Sequence, residues 1–156
     1  MWNMKENNSI KFERLTEVSE NTCAELTALI KQLMSSKISS TFWLGLKKGS
    51  LEQALKDKNA QFFVLKDGER IIGTATLILM QQLATTKAFL EDVVVDEAYR
   101  GRGLGRLLME EIIKQAKLLG VEKLKFTSKP QRIAANALYQ KMGFERKETN
   151  VYEMKL

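Results

Sequence analysis

A chain of 156 residues, 44% hydrophobic and 28% charged, has the size and make-up of one globular domain, residues 1–156, with a core of its own. It contains no histidine, which excludes Ser-His and Cys-His mechanisms and removes the commonest metal ligand, so no metal is expected. A net charge of +6 points to an anionic partner. The basic residues are spread along the chain, and no helix-turn-helix, zinc-finger or aromatic RNP pattern occurs, so nucleic acid is not the expected one.

The N-terminus, MWNMKENNSI, lacks the apolar core of a signal peptide. The longest apolar stretch, residues 71–80, is interrupted by Gly73, Thr74 and Thr76, so no membrane span is expected either. The single cysteine, Cys23, cannot form an internal disulfide, which suits a reducing cytoplasm. It falls on the apolar face of a helix and reads as packing, not as a nucleophile.

Residues 10–16 (IKFERLT) alternate as a strand does. A helix begins at Ser19 or Glu20 and runs to about Ser36, with an apolar face of Cys23, Leu26, Leu29, Ile30, Leu33 and Met34. The serine-rich segment 35–41 is a loop. Phe42, Trp43 and Leu44 follow it, and either fold back onto the core or line a substrate-facing wall. Ser50-Leu51-Glu52-Gln53 matches a capping box and opens a short helix to about Lys58. Residues 61–66 form a strand, Asp67 and Gly68 a hairpin turn, and residues 70–82 the antiparallel partner. A second turn over 81–87 leads into a strand over 88–95, which completes a meander.

Residues 89–120 (FLEDVVVDEAYRGRGLGRLLMEEIIKQAKLLG) carry the most information. A β-branched strand is broken at residues 96–99, and a turn rich in Gly and Arg opens a long helix. Leu104, Leu108, Ile112, Ala116 and Leu119 mark its buried face; Glu110 and Lys114 sit four apart on the wet one, and Gly120 supplies the stop. The first amides of a helix lack internal partners. Glycines at 101, 103 and 105 clear side chains from the approach. Arg100, Arg102 and Arg106 add their charge to the helix dipole, and the product is a cradle for a pyrophosphate. The dinucleotide pattern G-x-G-x-x-G fails, because Leu108 stands where the third Gly belongs, and no P-loop pattern occurs.

Beyond Gly120, residues 121–127 read as a strand that returns parallel to 90–95, because the helix between them is a crossover. Pro130 suits the first turn of a further helix to Met142, with Ile133, Ala134, Ala137 and Leu138 inward, ended by Gly143. Residues 144–147 and 151–156 are two closing strands around a Glu148-Thr149-Asn150 turn.

Arg100, Gly103 and Gly105 fit the pattern [RQ]-x-x-G-x-G between strand and helix, which resembles the coenzyme A loop of the GNAT acetyltransferase superfamily. Ala137-Leu138-Tyr139-Gln140-Lys141-Met142-Gly143-Phe144 resembles that superfamily's A-x-x-Y-x-x-x-G-F signature, and the order of elements from Ile10 to Leu156 is similar as well. The resemblance implies an α/β (α+β) GNAT fold: a mixed central sheet of about seven strands, splayed between the fourth and fifth, with about four helices. It implies an acetyl-CoA-dependent N-acetyltransferase that moves the acetyl group to a primary amine, on a small molecule or a peptide, by direct attack in a ternary complex. A protein that binds coenzyme A without turnover is the alternative. Homodimers are common in the superfamily, though nothing in the chain marks a dimer surface.

The resemblance also assigns residues. Backbone groups of Val93, Val94 and Val95 would pair with the pantetheine arm, and one such amide could polarise the thioester carbonyl. Gly101, Arg102, Leu104 and Arg106 would join Arg100, Gly103 and Gly105 around the pyrophosphate. Tyr139 takes the place of the general acid that protonates the leaving thiolate. Asn136 would bond the pantetheine arm; the superfamily's more usual Asn position, seven before the Tyr, is Arg132 here, which could reach a phosphate instead. The Glu carried by many members twelve before the Tyr is replaced by Thr127, so Glu91 and Asp92 become the candidate bases. The run Glu91-Asp92-Val93-Val94-Val95 resembles the glucosamine-phosphate N-acetyltransferase branch. Since neighbours on a strand face opposite ways, only one of the two acids is expected to face the amine.

Overall fold

The computed structural model describes residues 9–34 and 45–156, so the expected loop over 35–41 and the cluster Phe42, Trp43 and Leu44 lie outside the described residues. The chain divides into two compact units, one ending at Phe126 and the other spanning Thr127–Leu156.

The first unit is built on a five-stranded sheet in sequence order. Strands β1 (Ile10–Arg14), β2 (Ala60–Asp67), β3 (Arg70–Gln81) and β4 (Thr86–Val95) form the antiparallel meander. Strand β5 (Lys123–Lys125) is parallel to β4, since it is reached through a helical crossover. Asp67 pairs with Arg70, so Gly68 and Glu69 are the two-residue hairpin loop, and Gly68 takes the positive φ of 57° that its first position requires.

Strand β3 is buried from Ile71 through Leu77, which requires cover on both faces. One face, with Val64, Ile71 and Val94, packs on Cys23, Leu26 and Leu29 of helix α1 (Glu20–Met34) and on Leu51 of helix α2 (Lys48–Ala54). Helix α3 (Leu104–Leu118) also packs on β3 and β4 but has no residue in that cluster; it covers the other face with Leu104, Leu108, Met109, Ile112 and Ala116.

Local signals set the start of α1 and the end of α3. Ser19 caps α1: its Oγ accepts from the Thr22 N–H at 3.0 Å, and its own N–H donates to Thr22 Oγ1 at 3.3 Å. Gly120, with φ of 70°, closes α3 as a Schellman motif, in which Val121 N–H donates to Ala116 O (2.9 Å) and Gly120 N–H to Lys117 O (3.0 Å). Leu119 is thereby turned out of the buried face and is 40% exposed, whereas Met109, nearer the start of the helix, is fully buried. The capping box at Ser50 does not form. Helix α2 starts at Lys48, with no side-chain cap at Lys47, and ends at Ala54. Leu51, buried at 6% exposure, sets the helix by its packing and draws Ser50 inside it.

The second unit holds helix α4 (Ile133–Lys141). Pro130 lies outside it, in a turn that Arg132 N–H closes onto Lys129 O at 3.0 Å, so the proline occupies a turn position and not the first helical one. The inward face expected of α4 does not form: Ile133 is 77% exposed, and no residue of the helix is fully buried.

The described residues form five strands, not about seven. Residues 144–147 and 151–156, expected as two closing strands, enter no ladder, and Val151, Tyr152, Met154 and Leu156 are exposed. A strand exists only through a partner's hydrogen bonds, and two strands alone are marginal in water.

At Gly73 a neighbour's backbone comes close to where a side chain would begin. A Cβ there would lie 3.2 Å from the Val94 carbonyl oxygen, in the ladder where Val94 pairs with Thr74, and 3.5 Å from Leu65. Gly73→Ala should cost about 1–3 kcal/mol in urea unfolding through overpacking. An unchanged midpoint would mean that β4 gives way freely.

Candidate active site

Strand β4 carries a bulge. Thr74 pairs with Val94 and Thr76 with Glu91, which leaves Ala75 opposite both Asp92 and Val93. Asp92 takes a φ of 56°, the only positive value among the described non-glycine residues. Asp tolerates that conformation better than most residues. Its carboxylate is held, since Thr76 Oγ1 donates to Asp92 Oδ2 at 3.1 Å.

The bulge corrects the expectation that one acid would face away. Residues directly opposite in an antiparallel pair share a face, so Glu91 lies on the face of Thr76. Asp92 reaches the Thr76 hydroxyl, so it lies there too, and both acids are exposed. Partial withdrawal from water, and then the neighbouring Asp92 charge, raise the Glu91 carboxyl above its ordinary value of 4.5.

Ahead of the bulge, β4 loses its second neighbour. Strand β5 pairs only with Lys87, Ala88 and Phe89. From Leu90 to Val95 the far edge of β4 has no strand beside it within this unit, which is the splaying expected between the fourth and fifth strands. Asp96 N–H points into the sheet, at 2.8 Å from Ile72 O. In the same planar peptide the Val95 carbonyl points the opposite way, to the open edge, where Arg100 Nε donates to it at 3.3 Å.

A short 3-10 turn, Glu97–Tyr99, leads into the glycine loop. Asp96 caps it by accepting from Ala98 N–H at 3.0 Å. Gly101 and Gly103 have φ of 78° and 72°, left-handed values that the turn into α3 needs. The first backbone bond of α3 runs from Leu107 N–H to Gly103 O, so the amides of Leu104, Gly105 and Arg106 precede the helical ladder. A Cβ at Gly101 would meet no atom within 4 Å, so the loop has open space on that side.

The three arginines are not gathered equally. Arg100 lies along the open edge of β4. Arg102 sits over the Tyr99 ring, 5.0 Å from its centroid. Arg106 turns along the outside of α3, where its Nε donates to Glu110 at 2.8 Å. Lys114 pairs with Glu111 at 2.5 Å and not with Glu110 as its spacing suggested.

The second unit carries Tyr139, Asn136 and Arg132 on or just before α4. Helix α4 ends as a Schellman motif on Gly143 (φ 88°), with Phe144 N–H donating to Tyr139 O and Gly143 N–H to Gln140 O, both at 3.0 Å. The motif brings its third-last and first following side chains together, and here these are Tyr139 and Phe144, edge to face at 6.2 Å. The spacing Y-x-x-x-G-F is thus a helix cap that fixes the tyrosine ring. Burial raises the Tyr139 phenol above 10.0, against a lowering by Arg132, so it keeps its proton at neutral pH. Asn136 Nδ2 donates to Lys129 O at 3.0 Å and braces the loop before α4.

Cys23 is buried in the core, and its thiol is raised by that burial and then by Glu20. Among the described residues, no three His, Cys, Asp or Glu side chains gather as a metal site, and no helix is long and apolar enough to cross a membrane.

Residues 26–144 match the model of the acetyltransferase (GNAT) family, and the chain belongs to that family. It is 32% identical over 89 residues to the [ribosomal protein bS18]-alanine N-acetyltransferase of Escherichia coli (strain K12), a match over 53% of this chain and 60% of that protein. It is 32% identical over 82 residues to the glucosamine 6-phosphate N-acetyltransferase of Trypanosoma brucei brucei, over 51% of this chain and 54% of that one. The chain thus spans less than two thirds of the length of these relatives. An aminoglycoside acetyltransferase from an uncultured soil metagenomic sample has the same fold, with a TM-score of 0.80 at 21% identity over 96% of this chain and 99% of its own. So does the glucosamine-6-phosphate N-acetyltransferase of Arabidopsis thaliana, with 0.73 at 18% over 94% and 99%.

A raised carboxyl titrates later in the folded chain than in the unfolded one. The folded chain therefore holds the Glu91 proton more tightly, and the stability this contributes is present at low pH and lost as pH rises from 4.5 through the raised value. Glu91→Gln removes the dependence. Urea unfolding between about pH 4 and about pH 8 should show the variant gaining on wild type across the acidic part of the range and running parallel to it by neutrality. A gap that stays constant across the range would show that Glu91 titrates alike in both states.

Proposed function

We propose that the chain is an enzyme that transfers the acetyl group of acetyl-CoA to a primary amine by direct attack in a ternary complex. The observation that carries this reading is one continuous strand-turn-helix unit, residues 91–106. It presents two carboxylates on one face of β4, an open backbone edge behind them and a glycine-rich helix start at its end.

The amides of Leu104, Gly105 and Arg106 hold the pyrophosphate, with Gly101 and Gly103 leaving room for it and Arg100 and Arg102 adding positive charge. Arg106, engaged with Glu110, contributes its amide more than its side chain. Backbone groups of Val93, Val94 and Val95 receive the pantetheine arm along the open edge. Acetyl-CoA supplies the activated acyl carbon.

An alkyl ammonium has a pKa near ~10 and must lose a proton before it attacks. Glu91 accepts that proton, and its raised pKa makes it a stronger base than an ordinary carboxylate. Asp92, tied to Thr76, helps to hold Glu91 in that state. The amine nitrogen bonds to the acyl carbon, the carbon–sulfur bond breaks, Tyr139 gives its phenolic proton to the departing thiolate, and the second proton shed by the bonded nitrogen restores the phenol. Asn136 keeps the loop before α4 in place. A cytoplasmic location fits the thiol state of Cys23.

The rival reading is a protein that binds coenzyme A without turnover, and Thr127, standing where many members carry a glutamate, favours it. Thiol release from acetyl-CoA separates the two, measured with a panel that includes an N-terminal alanine peptide and glucosamine 6-phosphate, the amine types named by the two curated relatives. Turnover with at least one amine is expected. Tyr139→Phe should lower kcat about 10²–10⁴-fold with little change in acetyl-CoA affinity, and Glu91→Gln should remove the acidic limb of the pH–rate profile. Acetyl-CoA binding with no thiol release from any amine would favour the rival.

A further inference from the structure

A cluster beside the glycine loop is absorbed by none of the roles above. The Tyr99 hydroxyl donates to Asp67 Oδ2 at 3.1 Å, and Ser9 Oγ donates to the other oxygen of the same carboxylate. Arg70 Nη2 donates to Asp96 Oδ2 at 2.9 Å, while Asp96 Oδ1 accepts from Ala98 N–H, so both oxygens of this buried carboxylate are engaged. Arg70 also lies over the Tyr99 ring, 5.6 Å from its centroid. Glu97 N–H donates to Gln32 Oε1 of α1 at 2.9 Å. The β2–β3 hairpin and α1 together pin the turn that ends in Tyr99, although the hairpin lies far from that turn in sequence.

The exposed Arg102 rests on this pinned ring. A guanidinium over an aromatic face is attracted by it and keeps its N–H donors at its edge. An unsupported arginine in a glycine loop must give up its rotamer freedom when it meets a phosphate; one held on a fixed ring has lost much of it already.

We propose that Tyr99 is a positioning residue for cofactor binding. Its ring, held by Asp67 and the Arg70–Asp96 pair, keeps the Arg102 guanidinium at the mouth of the glycine loop, where it meets the pyrophosphate of acetyl-CoA. This rests on the cofactor reading given above. It makes the β2–β3 hairpin tip part of the apparatus that sets acetyl-CoA affinity, and it gives the aromatic residue ahead of Arg100 a role distinct from packing.

The test is a double-mutant cycle of Tyr99→Leu and Arg102→Ala, with Tyr99→Phe as the conservative variant. It is read by calorimetric titration with coenzyme A and by KM and kcat for acetyl-CoA. Tyr99→Leu should weaken binding and raise KM about two- to fivefold with kcat unchanged. Tyr99→Phe keeps the ring over which Arg70 and Arg102 lie but loses the bond to Asp67, and should restore part of that loss. In the double variant, loss of the ring should add nothing to the loss caused by Arg102→Ala. Unchanged or tighter binding by Tyr99→Leu, or independent effects in the cycle, would overturn the proposal while wild type still binds. A wild-type chain that ignores coenzyme A would overturn the cofactor reading, and this proposal with it.

Discussion

A single extra residue in β4 governs the site. Placing Asp92 and Val93 opposite Ala75 requires a left-handed backbone at a non-glycine residue, a conformation that costs of order 1–3 kcal/mol. The hydrogen bond from Thr76 offsets part of this, and Thr76 can give it because it lies buried on the same face. The bulge breaks the alternation of the strand, so two neighbouring acids share a face, and Asp92 then helps to raise Glu91. Pairing with β5 stops at Phe89, ahead of the bulge, and leaves the backbone edge beyond it open.

Charge around the glycine loop is divided by local partners. Three arginines in seven residues read as one positive patch, but each is claimed by a different neighbour: a strand carbonyl, an aromatic ring and a helix glutamate. Only Arg106–Glu110 follows from sequence spacing. The others depend on the path of the chain through the turn, which the buried Asp96 and its partners hold. Electrostatics at this loop is therefore a property of the surrounding structure as much as of its composition.

Much of the fold was legible because its signals are local. The hairpin at Gly68, the strand-turn-helix of the glycine loop and the stops at Gly120 and Gly143 each depend on residues a few positions apart. The Tyr139–Phe144 contact is of the same kind, being the side-chain contact of a helix cap. Elements that need a distant partner were misread. The C-terminal segments expected as strands found no ladder, Ile133 and Leu119 found no cover, and the capping box at Ser50 yielded to the burial of Leu51. The bulge had one overlooked sign, an Asp inside a β-branched strand, where Asp is disfavoured but tolerates left-handed backbone.

What the amino-acid order decided by itself was the family, the meander and its crossover, the glycine-rich helix start and the identity of the candidate acids, since these rest on short-range periodicity and on backbone freedoms specific to glycine. Only the tertiary structure decided that both acids share a face, that the Val95 carbonyl looks to an open edge, and that Arg102 lies on a ring anchored from another hairpin. Each of these turns on ladder register or on contacts between residues distant in the chain. Register is set by the summed burial and hydrogen bonding of whole strands, which no short stretch of sequence contains.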